Sequence, residues 1–135
     1  MTTTLDQFIA TTGLRMTCKY ADRNPHMADN NWAADHWRCT ITGRHSKRMT
    51  VYFSKGMAHK GAPPTLEEVL DCIASDAAAV EQADFAEFAA DMGYDSDSRK
   101  AERIYKTCVK QARSLRNLLA DENTFQSLLY GTDRR

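Results

Sequence analysis

The polar residues placed where chemistry could begin are His36, His59, Tyr94, Asp95, Asp97 and Arg99. An imidazole can move a proton near neutral pH, a carboxylate can orient it, and a phenol or guanidinium can steady a developing negative charge. No nucleophile stands beside a base at a spacing that names a reaction. No motif of the hydrolase, kinase or zinc-peptidase kind occurs either. The expectation is therefore a non-enzyme with no assigned catalytic residue. Asp95-Ser96-Asp97 has the start of a calcium loop, but that loop needs Gly at its sixth position and Glu at its twelfth. Lys100 and Lys106 stand there instead. Cys18, Cys39, Cys72 and Cys108 are widely spaced, lack any C-x-x-C, and fall on or near apolar positions. Reduced, buried thiols account for them better than a zinc site shared with His26, His36, His45 or His59. No metal and no cofactor is expected.

The stronger pattern is electrostatic. Arg99, Arg103, Lys106, Lys110 and Arg113 recur at intervals of 4-3-4-3, which places five cations along one helix face. Neighbouring like charges there cost a few tenths of a kcal/mol per pair. Relief must come from acidic helices of the same chain, from acids of a protein partner, or from phosphates. Lys55 and Lys60 lie in the run Ser54-Lys-Gly-Met-Ala-His-Lys-Gly61, where backbone N–H groups and ammonium groups could meet an anion. It is not a P-loop, since the Gly spacing is wrong and no Ser or Thr follows the lysine, and a plain crossover from sheet to helix is the simpler reading. Trp32 sits in a polar connection, as a pin for that loop or as an anchor for a partner. Tyr94, Asp95 and Asp97 complete the candidate set, at the turn that opens the cationic helix. The surfaces proposed for a partner or for nucleic acid are thus Arg99, Arg103, Lys106, Lys110, Arg113, Lys55, Lys60, Trp32, Tyr94, Asp95 and Asp97.

The formal net charge of zero conceals blocks. Residues 1–60 hold nine Lys/Arg and four Asp/Glu, residues 61–98 hold ten acids and no base, and residues 99–135 hold nine bases and four acids. Either the acidic block neutralises the basic ones within the fold, or one block meets a partner.

The elements that must position these residues follow from periodicity. A chain of 135 residues suits a single domain, with an N-terminal helix and β-meander over 1–60 and a helical half over 61–135. Thr4 to Gln7 is a capping box for a short helix that Gly13 can end. Apolar residues then alternate at Leu14, Met16, Cys18 and Tyr20, at Trp37, Cys39 and Ile41, and at Met49, Val51 and Phe53. The period of two predicts an antiparallel three-stranded sheet over about 14–20, 37–43 and 48–54, with a hairpin at Gly43 to Lys47. Its other face carries Arg15, Lys19, Arg38, Arg48, threonines and Tyr52. Thr65 with Glu68, and Asp84 with Glu87, cap two acidic helices. Phe85, Phe88, Ala89 and Met92 are expected to point inward from the second of these. Ser96 or Asp97 is expected to cap the long basic helix over about 98–120, and a last capped segment starts at Asp121 or Asn123. The fold class is α+β. No N-terminal secretory signal is expected, because Met1 to Thr4 hold no cationic cluster and no apolar run follows. No stretch approaches the roughly 20 apolar residues of a membrane span.

Three runs carry a resemblance: R-M-T-V-Y-F-S-K-G-M-A-H-K-G-A-P-P, then V-L-D-C-I-A-S-D-A, then M-G-Y-D-S-D-S-R-K-A-E-R. Over about Leu14 to Leu119 the chain resembles a family of small phage- and prophage-encoded proteins. That family has no established activity, so no catalytic residue comes with it. What the resemblance implies is a setting in the bacterial cytoplasm, where small phage proteins bind and block host machinery, CRISPR–Cas complexes included. The expectation is a non-catalytic, anti-CRISPR-like binding protein directed at a host protein or ribonucleoprotein complex. The alternatives are a nucleic-acid-binding accessory protein without sequence specificity, and a small enzyme with an unrecognised site.

Overall fold

The computed structural model describes residues 3–25, 34–56 and 62–134. In chain order the elements are β1 (Thr3–Thr4), α1 (Leu5–Thr12), β2 (Arg15–Ala21), β3 (Ala34–Thr42), a 3-10 turn (Arg44–Ser46), β4 (Arg48–Gly56), α2 (Leu66–Gln82), α3 (Phe85–Asp91), α4 (Arg99–Leu119), α5 (Glu122–Tyr130) and β5 (Thr132–Asp133). The fold is α+β: a three-stranded antiparallel sheet in the order β2-β3-β4, with a helical C-terminal half.

Side-chain alternation sets the layers. The register pairs Met16 with Ile41 and Cys18 with Cys39 across β2 and β3, and Cys39 with Val51 and Ile41 with Met49 across β3 and β4. These inner-face residues join one apolar cluster with Val69, Leu70 and Ile73 of α2, Ala112, Leu115 and Leu118 of α4, and Phe125, Leu128 and Leu129 of α5. Ile41, Leu70, Leu115, Phe125 and Leu128 are fully enclosed. Each such side chain contributes roughly 1.5–3 kcal/mol by leaving water. The helices therefore pack on one sheet face; on the other, Arg15, Lys19, Arg38 and Arg48 are exposed while His36 at its far end is buried.

Local signals place the helix ends. Of the three predicted capping boxes, Thr4 with Gln7 and Thr65 with Glu68 are complete, whereas at Asp84 the side chain accepts from the Glu87 N–H as a simple N-cap. Gly13 ends α1 in the left-handed region at φ 71°. The hairpin between β3 and β4 closes on His45 and Ser46, both at φ 60°, with the Lys47 N–H donating to the Arg44 carbonyl. Both central residues at positive φ make this a mirror-image turn, which suits the twist of the strands but normally takes Asn-Gly. Gly43 before it packs closely on α4: a Cβ there would lie 3.1 Å from the Leu118 carbonyl oxygen, so a larger residue would need a shift of a few tenths of an ångström.

Several expectations need correction. Strand β3 starts at Ala34, not near 37, and β4 runs on to Gly56, so His36 belongs to a strand rather than a loop. A parallel pair of two-residue strands, β1 with β5, ties the two ends of the described chain and was not expected from the sequence. Ser98, not Ser96 or Asp97, caps α4: its N–H donates to the Asp95 carbonyl at 3.0 Å, which closes the turn and delays the first helical residue to Arg99. Met92 is 50% exposed because it sits at the C-cap of α3, past the last inward turn. Leu118 is buried and Leu119 only half-buried. Of the cysteines, Cys39 and Cys108 are buried, Cys18 is half-buried and Cys72 is exposed.

Candidate anion-binding surface

Helix α4 presents two faces of opposite character. Ala101, Cys108, Ala112, Leu115 and Leu118 enter the core, and Ile104 and Tyr105 are half-buried. Tyr105 meets the edges of Phe85 and Phe88 at 5.3 and 5.2 Å, which fixes α3 against α4. On the other side Arg99, Arg103, Lys106, Lys110 and Arg113 are all exposed. At 1.5 Å per residue this stripe runs about 21 Å.

Among the described residues, most of the stripe is left without an ion pair. Lys106 pairs with Glu102 at 2.8 Å, one turn back. That hydrogen bond, the charge of Lys106 and the nearby Arg99 hold the Glu102 carboxyl below its ordinary range. Among the described residues, Arg99, Arg103, Lys110 and Arg113 form no ion pair. The acidic block finds its partners elsewhere: Glu68 pairs with Lys55 at 3.5 Å, Asp71 with Arg134 at 3.5 Å, and Glu81 with Arg116. Arg116 lies off the stripe. It also binds Glu122 at 3.0 Å and covers the Phe125 ring at 4.3 Å, so it clamps α2, α4 and α5 together. Its hydrogen bonds to Glu122 and Glu81 raise its already high pKa.

The turn before α4 shapes the head of the stripe. Gly93 takes φ 82°, and the Tyr94 N–H donates to the Ala89 carbonyl at 2.8 Å. Tyr94 is half-buried, with the Lys100 ammonium 5.8 Å above its ring. Asp95 and Asp97 are exposed beside the positive end of the helix. These three residues gather with Arg99 at one end of α4, where Tyr94 is half structural and the two aspartates face water.

The sheet face turned away from the helices carries a second cationic surface over part of its area. Its first three cross-strand rows are Arg15–Thr42–Arg48, Thr17–Thr40–Thr50 and Lys19–Arg38–Tyr52. Four cations and no carboxylate occupy those nine positions. With strand spacing of about 4.8 Å and a rise of about 3.3 Å per residue, the patch measures roughly 10 by 13 Å.

The remaining expected site residues separate from these surfaces. The Lys55 side chain is only 11% exposed and its ion pair to Glu68 fixes the start of α2 to β4, a structural duty. Trp32 and Lys60 lie outside the described residues, as do His26, Met27 and His59. His36 is 1% exposed. Its Nδ1 lies 2.8 Å from Ser54 Oγ, which in turn accepts from Asn24 Nδ2 at 3.0 Å. These three side chains form a polar chain that ties β3, β4 and the segment after β2 together at one end of the sheet. Among the described residues no group of three or more His, Cys, Asp or Glu is arranged to hold a metal.

Sequence reasoning missed an open groove of about 560 Å3 at the junction of α1, the β3–β4 hairpin and the α4–α5 corner. Phe8, Leu14, Leu118 and Leu119 form its apolar part, and Arg44 and His45 stand at its rim. No local motif signals it, because its walls come from three stretches far apart in the chain, 3–14, 44–45 and 118–127. No helix among the described residues is long and apolar enough to cross a membrane. Comparison of the chain with protein-family models, with curated proteins and with solved structures finds no match.

Proposed function

We propose that this chain is a non-catalytic binding protein whose partner presents phosphates, in the form of a host ribonucleoprotein complex that it occupies and blocks. The observation that carries the reading is the outward α4 stripe, five exposed cations of which one is ion-paired among the described residues. The outer patch of the sheet, with its four cations and no carboxylate, supports it with a second surface of the same sign. Neither surface carries a groove-reading motif, so contact runs to the backbone rather than to base edges. The resemblance to small phage proteins supplies the setting, an inhibitor of a host defence complex of the CRISPR–Cas kind.

The test is capture from bacterial lysate on the immobilised chain, with and without nuclease. The reading expects protein and nucleic acid to be captured together and lost together after nuclease treatment. Retention of the same protein after complete nucleic-acid removal contradicts it. Such retention would instead favour a second reading, in which the acidic segment imitates phosphates and enters a basic channel. Exposed Glu87, Asp91, Asp95 and Asp97, which form no ion pair among the described residues, support that alternative.

A further inference from the structure

Cys18 and Cys39 stand directly opposite each other in the β2–β3 register. Their Sγ atoms are 3.4 Å apart, with the Cys18 thiol donating to Cys39. Facing residues of an antiparallel pair have Cα atoms about 4.5–5.5 Å apart, inside the range that a disulfide bridges without moving the backbone. Cys39 is fully enclosed beneath the helices, whereas Cys18 is half-buried at the edge strand β2. The other two thiols differ: Cys72 is an exposed residue on α2, and Cys108 is buried on α4.

We infer that Cys18 and Cys39 form a dithiol site that exchanges with low-molecular-weight disulfides to give a cross-strand disulfide. The half-buried Cys18 thiolate attacks one sulfur of the disulfide RSSR, which breaks the S–S bond, makes Cys18–S–SR and releases one RSH after protonation. Cys39 then loses its proton to water and attacks the Cys18 sulfur, which forms the Cys18–Cys39 bond and expels the second RSH. The two thiols are oxidised by two electrons and RSSR is reduced to two RSH. Burial and the contact with Cys18 push the Cys39 thiol up to about 12. The greater exposure of Cys18 places the first attack there, with Cys39 as the resolving thiol. The inference is independent of the partner proposed above. Its consequence is mechanical: the bridge would lie beside the Lys19–Arg38 pair and lock the register of the cationic face.

The experiment treats the full chain with oxidised glutathione, then maps peptides without reduction and records a thermal melt. The expected product is a Cys18–Cys39-linked peptide pair, reversed by a thiol reductant. Cross-linking a loop of about 20 residues should raise the melting temperature by about 10 °C. Cys72→Ser should leave both results unchanged. Cys18→Ser, at a half-buried position, should abolish the link and the rise while the reduced melt stays near wild type. Recovery of unlinked Cys18 and Cys39, a link between any other pair, or a mixed glutathione adduct that persists at Cys18 would overturn the inference. The mapping is done on the unaltered chain, so a poorly folding variant leaves the test intact.

Discussion

Reversing two charges of the stripe separates an interface from an internal scaffold. In Arg103→Glu with Lys110→Glu, both side chains are exposed and neither has an ion pair among the described residues. The four adjacent pairs along Arg99, Arg103, Lys106, Lys110 and Arg113 are all repulsive in the parent and all attractive in the variant. At about 0.2–0.5 kcal/mol per helical pair, and allowing for screening at an exposed surface, the folded state should gain roughly 1 kcal/mol. The melting temperature should therefore hold or rise by about 4 °C. Binding should move the other way. Two lost phosphate contacts reduce the slope of log K against log salt by about 1.4 for a single strand, and the two new carboxylates repel the same phosphates. Fluorescence anisotropy with a labelled RNA, run as a salt series beside a thermal melt, reads both quantities. A fall of several degrees in the melt would show that the stripe pairs internally. An unchanged salt slope would show that it is not the contact surface. Either result refutes the reasoning.

Three further outcomes test the scaffold that presents the stripe. Arg116→Ala should lower stability by about 1–2 kcal/mol, read by chemical denaturation, since it removes the clamp to Glu81 and Glu122 and the cover over Phe125 at a partly exposed position. Burial holds the Asp76 carboxyl above its ordinary range, so ionising it opposes folding once pH rises through its folded pKa. Asp76→Asn should accordingly raise the melting temperature at pH 7, with the gain shrinking as pH falls and the native acid takes up its proton; a gain that does not change with pH would contradict the assignment. His45→Asn with Ser46→Gly places residues suited to φ 60° in the hairpin turn and should stabilise by about 1 kcal/mol, visible as a rise of about 4 °C in the melt.

The sheet and the long helix were legible because their periods are strong and agree with their caps. Met16 and Cys18 alternate as the pleat requires, and Ala101, Cys108, Ala112 and Leu115 recur as α4 requires. The starting point of β3 was not legible, since Ala34 and Asp35 give no β signal and the strand is held by pairing to Lys55 and Gly56 across the sheet. The β1–β5 pair is two residues long and joins distant ends of the chain, which local patterns cannot report. For the candidate site, the 4-3-4-3 spacing located the stripe, but not its exposure. Whether Arg103 met water or Glu81 depended on how α2 crosses α4, and the structure gives Glu81 to Arg116 instead. Lys55 shows the converse: an attractive loop lysine by sequence, it is held under Glu68 at the base of α2.

The central claim is that the cationic surfaces meet phosphate, and the salt dependence of binding tests it most directly. Equilibrium binding of the unaltered chain to single-stranded RNA of mixed sequence, measured from low to physiological salt, should give a straight line of log K against log salt. Its slope should correspond to several phosphates, at about 0.7 per contact, with little change between RNA sequences. A binding constant that does not move with salt, or no binding even at low salt, would contradict the account.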